Sequence, residues 1–443
     1  TVNAHPYIKT IFVQAEEDVM QLQRNTDKVA VSVESLESEP DIQFFQQRVK
    51  PFNLFEGRLY RFEIYRTPSC VYLFQDIHHS VFDGISDVIF QEDLTRALKG
   101  EALSEESYTA FDYAVEESGL LAGGNCAKAE SYFDTLVAQR ESTVYPHSGE
   151  GTGGEGFGKF EFEVESERID SFCREAGVTS NAYFATVLGQ ILHRVTREES
   201  VLFSTIDNGR TDAGRMQSVG MYVKTLPVCS TLNPGEVRGT SFEKAVKEMH
   251  SQLMETISLS YYPFTRISER HHIRPEILYV YHGKLATELS VDENVEETML
   301  ELDTVKVPLT VTVYHKGGNA YTVLLSYNTA MYSDSDMKRL GSAFRAASVN
   351  SLTAGSIAEF SMLDEAERRR VEEFRCTCRQ EIPWKLFYQP IEENAVRYAD
   401  RTALVARDRT LTFAEFNVEV TRVAHALLRK GVKRGDRVTT GSD

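Results

Sequence analysis

The sequence predicts a mixed α/β (α+β) fold built from more than one domain. Three observations predict it. Short runs rich in Val, Ile, Tyr and Phe alternate with stretches of helical periodicity. Clusters of Gly, Pro and Ser separate these runs. The length, 443 residues, exceeds the roughly 150 residues of an average domain.

The elements follow in chain order. Residues 58–66 and 70–77 read as strands, with Arg66-Thr67-Pro68-Ser69 as the turn between them. Residues 84–98 carry apolar side chains at Ile85, Val88, Ile89, Leu94 and Leu98 and end at Gly100, the pattern of a helix. Residues 105–140 are mixed, with helical character from about Ala127. A Gly-, Ser- and Glu-rich stretch then reads as a flexible crossing between two halves. The second half opens on the alternation Phe160, Phe162, Val164 of a strand. In 181–196, Phe184, Val187, Leu188, Ile191, Leu192 and Val195 share one helix face. Strands are expected at 201–206 and 221–228, and two more flank the Gly317-Gly318 turn. A helix from about Ser333 to Ala347 closes this half. From about 356 the character changes: a charged helix and an irregular stretch precede a helix, strand, hairpin turn, helix and the start of a strand. The mixed pattern thus occurs roughly twice, and the tail is too short to complete a large domain.

Composition narrows the function. Apolar residues make up 42% and charged residues 26%, an ordinary globular balance. With 48 basic against 66 acidic residues the formal charge is −18. Neither nucleic acid nor an anionic membrane is an expected partner of such a chain. No apolar run approaches the roughly 20 residues of a membrane helix. The opening residues lack Met, a basic region and an apolar core, so they read as no signal peptide and as a chain entered in its middle. Six cysteines are spread thinly, which predicts reduced thiols and a cytoplasmic protein. Cys376 and Cys378 form a lone pair without further ligands nearby, so no metal site is expected. Gly149 to Gly154 match a dinucleotide fingerprint in form only. A proline loop precedes the run and a strand follows, whereas the phosphates need a helix N-terminus, so the run reads as a linker and no dinucleotide is expected there.

The densest chemistry is His78-His79-Ser80-Val81-Phe82-Asp83-Gly84, between a strand and a helix. Adjacent histidines point in different directions, and an imidazole titrates near pH ~6.5. Gly84 lets a backbone N–H approach a ligand closely, at a helix start suited to a developing oxyanion. These parts suit acyl transfer. The same residues also fit a helix N-cap at Asp83 beside a hydrogen-bonded core pair or a metal-ligand pair of histidines.

The segment matches the HHxxxDG motif of nonribosomal peptide synthetase condensation domains, shared with chloramphenicol-acetyltransferase-like acyltransferases. Other segments resemble that family in the right order. Ala4 to Phe12 resembles RHExLRTxF. Pro51-Phe52-Asn53-Leu54, with Gly57, Leu59 and Arg61, resembles the PFDL stretch, and Phe111 to Ala114 resembles YxDYA. Asp207 to Arg210 and Val219 to Pro227 resemble the "GR…VGxFVNTLP" segment, Tyr262-Pro263-Phe264 the core of HQDYPFE, and Tyr327-Asn328 a further familiar pair. Leu411 to Phe416 and residues 431–438 look like the start of an adenylation domain.

The resemblance implies two chloramphenicol-acetyltransferase-like lobes in a V, spanning 1–145 and 146–355. A linker over 356–386 and a partial adenylation domain over 387–443 would follow. It implies peptide-bond formation: an acceptor aminoacyl amine attacks a donor aminoacyl or peptidyl thioester. Both substrates would arrive on phosphopantetheine arms of donor and acceptor peptidyl carrier domains, with no cofactor bound by the domain itself. His79 takes the position of the family's catalytic histidine, as base or as positioning group. An α-amine of pKa about 8 is already partly neutral in the cytosol, which favours positioning with partial proton acceptance. His78 would support it, and Asp83 would pair with an arginine, for which Arg210 is the candidate.

Departures stand out. The opening motif SxAQxRLWxL is absent. Leu259-Ser260-Tyr261 replaces HQD, Thr265 replaces Glu, Lys224 stands where Asn is usual, and little of RDxSRNPL remains around Arg274-Pro275. The alternatives are a CoA-dependent acyltransferase of the same fold, an epimerization domain, and a noncatalytic scaffold. A heterocyclization domain would carry DxxxxD where this chain has the two histidines.

Overall fold

The computed structural model describes residues 1–16, 18–23, 29, 31–147, 156–232, 235, 239–283, 296, 298, 300, 306–315, 318–376 and 386–439. The glycine-rich run Gly149 to Gly154, Gly317 of the expected turn and Cys378 lie outside them. The chain forms two units, Thr1–Glu365 and Ala366–Asp443.

The larger unit begins with a hairpin of β1 (Thr10–Ala15) and β2 (Asp18–Gln23). Its apolar residues stand side by side, Ile11-Phe12-Val13 and Val19-Met20, and do not alternate, so the sequence carries no strand signal there. A three-stranded sheet follows. β3 (Val33–Ser35) runs parallel to β4 (Tyr60–Arg66), and β4 pairs antiparallel with β5 (Val71–Ile77). The short helix α1 (Ile42–Gln46) lies between β3 and β4 in sequence, capped by Asp41. Helix α2 (Gly84–Leu98) occupies its expected span. Residues 105–140 form two helices where one was expected: α3 (Ala110–Ala122) and α4 (Gly124–Val137), broken at Gly123. Thr109 and Asp112 close a capping box at the start of α3, a local signal visible in the sequence.

The second half centres on one six-stranded sheet. In chain order its elements are β6 (Phe157–Glu165), α5 (Glu167–Ala176), α6 (Ser180–Thr196), β7 (Ser200–Asp207), α7 (Ala213–Met216) and β8 (Lys224–Thr231). Then come α8 (Phe242–Ser258), α9 (Phe264–His271), β9 (Ile277–Gly283), β10 (Leu309–Tyr314), β11 (Ala320–Asn328) and α10 (Asp334–Asn350). The strand order is β6-β11-β10-β9-β7-β8. β9 runs parallel to β10 and β7, and the other neighbours are antiparallel. The twofold pattern therefore does not extend to equal sheets.

Helix α6 is the core of this half. Its sequence marks one apolar face, yet every residue from Ala182 to His193 is buried. Small residues explain the difference. Ala182, Ala185 and Gly189 let neighbours approach on the remaining faces, and a Cβ on Gly189 would lie 3.0 Å from the Ser230 side chain. Phe184, Leu188 and Leu192 pack in one cluster with Phe344 of α10 and Val246 of α8.

Residues 208–223 leave this sheet and pack into the first half. Asp83, the N-cap of α2, holds them. Its Oδ1 accepts the Ser86 N–H at 2.8 Å, the Ser86 hydroxyl at 2.8 Å and Arg210 Nη2 at 2.9 Å. Its Oδ2 accepts the Tyr222 N–H at 3.0 Å. Both side chains of the Asp83–Arg210 pair are 0% exposed. Arg210 also donates to the Arg215 and Ser218 carbonyls and to Ser86 Oγ, and its Cζ lies 4.4 Å from the Tyr222 ring centre. Glu106 takes the Val219 N–H and the His5 Nδ1, each at 2.7 Å. The expected strand at 221–228 begins at Lys224 for this reason: the Tyr222 N–H is claimed by a buried carboxylate.

Two glycines make the crossing possible. Gly209 has φ +66°, and a Cβ there would sit 2.3 Å from the Tyr222 carbonyl oxygen. A Cβ on Gly220 would sit 2.5 Å from Ala110 Cβ.

After α10, Ile357 and Phe360 are buried, and Arg194 lies 4.4 Å over the Phe360 ring. The charged helix is shorter than the sequence suggested: α11 spans Glu365–Cys376. In the smaller unit, α12 (Gln389–Arg397) and α13 (Phe413–Arg429) pack on each other beside a hairpin of β12 (Thr402–Val405) and β13 (Thr410–Thr412). Residues 435–439 form no strand. Among the described residues no helix is long and apolar enough to cross a membrane.

Removing the Asp83 carboxylate leaves the Arg210 charge buried and alone. Asp83→Ala is expected to lower stability by about 3–5 kcal/mol, and Asp83→Ala with Arg210→Ala by less than the sum of the two singles. Urea unfolding of the three variants checks this; additive losses would show that the two side chains are not coupled. Gly220→Ala forces the overlap with Ala110 and is expected to cost about 1–3 kcal/mol, read from the same curves.

Candidate active site

The two histidines sit in the turn from β5 to α2. The His78 N–H donates to the Leu59 carbonyl at 2.8 Å, and the Val81 N–H to the His78 carbonyl at 3.1 Å. Val81 and Phe82 are buried and anchor the turn from below, whereas His79 is exposed and His78 half-buried.

Their hydrogen bonds fix opposite tautomers. His79 Nδ1 lies 2.6 Å from the Phe82 carbonyl oxygen. A carbonyl only accepts, so Nδ1 carries the proton and Nε2 keeps its lone pair. His78 Nδ1 receives the Ser80 N–H at 3.1 Å and lies 2.7 Å from Ser80 Oγ. That nitrogen is therefore unprotonated, and Nε2 carries the hydrogen. Burial pushes the His78 imidazole below the ordinary histidine range; Lys306 and His79 add to this, and Asp76 opposes it.

Asp83 and Arg210 meet directly beneath this turn, and Gly84 is the first residue of α2. Gly84 is exposed, and a Cβ there would meet nothing within 4 Å. Packing thus does not require glycine at this position. Its N–H is among the first-turn donors of a 15-residue helix, where partial positive charge concentrates.

Several contacting residues carried no local sequence signal. Glu106 reaches Val219 across 113 positions. Glu116 meets Arg215 at 2.7 Å, and Glu117 meets Lys224 at 2.5 Å. Arg215 and Lys224 also lie 4.4 and 5.1 Å from the Tyr113 ring centre. The unusual Lys224 thus has partners on α3, and stands opposite Asp207 in the β7–β8 ladder. Tyr262 is buried and stacks on Phe133 at 5.8 Å, while Pro263 caps α9. Among the described residues no group of three or more His, Cys, Asp or Glu is placed to hold a metal ion.

Comparison with known proteins places the whole chain among relatives of one kind. The family described as "Condensation domain" matches residues 1–371, and "AMP-binding enzyme" matches residues 391–442. Gramicidin S synthase 2 of Aneurinibacillus migulanus is 24% identical over 465 aligned positions, covering 99% of this chain and 10% of that protein. Surfactin synthase subunit 1 of Bacillus subtilis (strain 168) is 23% identical over 418, covering 87% and 11%. The chain spans about a tenth of the length of these curated relatives. Among solved structures, the X-domain from teicoplanin biosynthesis superimposes with TM-score 0.68 at 16% identity, over 82% of this chain and 88% of that one. A four-domain nonribosomal peptide synthetase bound to AMP and glycine gives 0.65 at 14%, over 98% and 36%. These structures share the mixed helix-and-sheet fold. With the first match running from residue 1 to 371, the chain belongs to the condensation-domain family, and it continues into the start of an AMP-binding enzyme domain.

Proposed function

We propose that this chain forms peptide bonds between two carrier-bound substrates. The observation that carries the reading is the exposed His79, whose Nδ1 proton is committed to Phe82 so that Nε2 presents a lone pair. The acceptor amine attacks the donor thioester carbonyl; a C–N bond forms and the C–S bond breaks. One proton passes from the amine nitrogen to the departing thiolate. His79 Nε2 accepts the amine's hydrogen bond, orients it and takes part of the proton's charge as the bond forms. The Gly84 N–H, at the start of α2, faces the developing oxyanion. Asp83 and Arg210 hold the turn in place and touch no substrate.

Residues 1–145 and 146–355 are, in this reading, the two lobes, 356–386 the linker and 387–443 the start of the adenylation domain. The donor and acceptor arrive on phosphopantetheine arms of carrier domains, and the reaction takes place in the cytoplasm.

A second reading has its own support. The X-domain likeness includes a structure solved as a complex with OxyB from teicoplanin biosynthesis. Together with Leu259, Ser260 and Tyr261 in place of HQD, it supports a scaffold that docks proteins without forming amides. An epimerization domain from a tyrocidine synthetase, TM-score 0.62, keeps racemisation in the same comparison.

Two carrier domains loaded with aminoacyl groups separate these readings. The wild type is expected to release the dipeptidyl carrier, detected by mass spectrometry. His79→Ala is expected to slow it about 10²–10⁴-fold with little change in melting temperature. Carrier binding without amide would favour the scaffold, and an inverted α-carbon without amide would favour epimerization.

A further inference from the structure

Three groups outside the reacting set form a continuous stack ending on His78. Arg61 on β4 stands opposite Asp76 on β5 in the strand register, and the two form an ion pair. Arg61 Nη2 also donates to the Pro51 carbonyl at 3.1 Å. This holds the guanidinium carbon 3.8 Å from the Phe52 ring centre. Phe52 in turn meets the His78 ring edge-on, with centroids 5.8 Å apart at 83°. Phe52 is half-buried against the cluster of Tyr7, Leu59 and Val81, so its ring is held from below as well.

His78 shapes the turn that carries His79. Its Nδ1 must stay unprotonated to accept the Ser80 N–H. A proton there would set two donors against each other and release the turn one residue from His79. We propose that Phe52 and Arg61 are positioning residues: they clamp His78 in its neutral, accepting form, and so hold His79 for the substrate. The proposal rests on the reading of His79 given above.

The charged groups facing His78 are identifiable from each packed element. Asp76 comes from β5, Lys306 from the segment before β10, His79 from the turn itself, and Arg61 acts through Phe52. Asp76 is engaged by Arg61, which limits its pull on a His78 proton. The stack therefore does two things. The aromatic edge excludes water from one side of the imidazole, and the arginine occupies the nearby carboxylate.

Nuclear magnetic resonance of the histidine side chains in the full chain, with the pH profile of kcat, tests this. In the wild type the His79 ring signals are expected to shift as His78 titrates. In Phe52→Leu the His78 midpoint moves up, toward the ordinary value near ~6.5, and the His79 response moves with it. At a pH where His78 has gained its proton in the variant and not in the wild type, kcat falls while KM for both carriers holds, and Phe52→Tyr keeps the wild-type profile. Arg61→Lys, which keeps the charge and loses the guanidinium over the ring, moves both in the same direction and serves if the leucine variant does not fold. An unmoved His78 midpoint in these variants, or a His79 ring blind to the His78 titration, overturns the proposal. So does a moved midpoint with kcat unchanged where only the variant's His78 carries the proton. The resonance arm gives its answer even if the wild type makes no amide, which would count against the condensation reading alone.

Discussion

The Asp83 carboxylate receives four donors from two segments of the chain, and the geometry of the larger unit follows from it. Two of them, the Ser86 N–H and hydroxyl, belong to its own helix start. The other two, Arg210 and the Tyr222 N–H, come from the segment that leaves the second sheet. A buried carboxylate without a countercharge costs several kcal/mol, so the pair has to form as a unit. That requirement draws residues 208–223 across from their sheet. It demands glycine at 209 and 220, and it fixes the N-terminus of α2 beneath the two-histidine turn.

The turn then assigns different work to chemically identical neighbours. His79 gives its Nδ1 proton to a carbonyl, and His78 receives a backbone N–H on the same ring atom. The tautomers are consequences of backbone position, because one partner can only accept and the other can only donate. The exposed ring of His79 is left with a lone pair, and the half-buried ring of His78 with a structural bond. Gly84 completes the arrangement: neither its backbone angle nor its surroundings require glycine in the protein alone, which leaves room at the start of α2 for a ligand.

Much of this was legible in the sequence because it is local. The span of α2, the β4–β5 hairpin and the helix that became α6 follow from periodicity and turn residues over fewer than about 20 positions. HHxxxDG is equally local, and its likeness to one family pointed to Arg210. What stayed hidden is nonlocal. Nothing near Tyr222 announces that its N–H serves Asp83, so the strand expected there began too early. Glu106, Glu116 and Glu117 read as surface charge in a chain of formal charge −18. Each instead meets a partner about 100 or more positions away. Lys224 looked like a bare departure from a motif, and its ion pair with Glu117 gives it a structural partner. The burial of α6 on every side was missed because alanine and glycine carry little hydrophobic signal, although they permit the closest packing.

The central claim is that the turn holds His79 with its Nδ1 protonated and Nε2 open. The ring nitrogen chemical shifts of His79 in ¹⁵N-labelled protein at neutral pH test it most directly. A protonated Nδ1 and an unprotonated Nε2, with the reverse pattern on His78, is the result predicted. A His79 ring that carries its proton on Nε2 would contradict the account, because that nitrogen could then donate to an incoming amine but not accept from it.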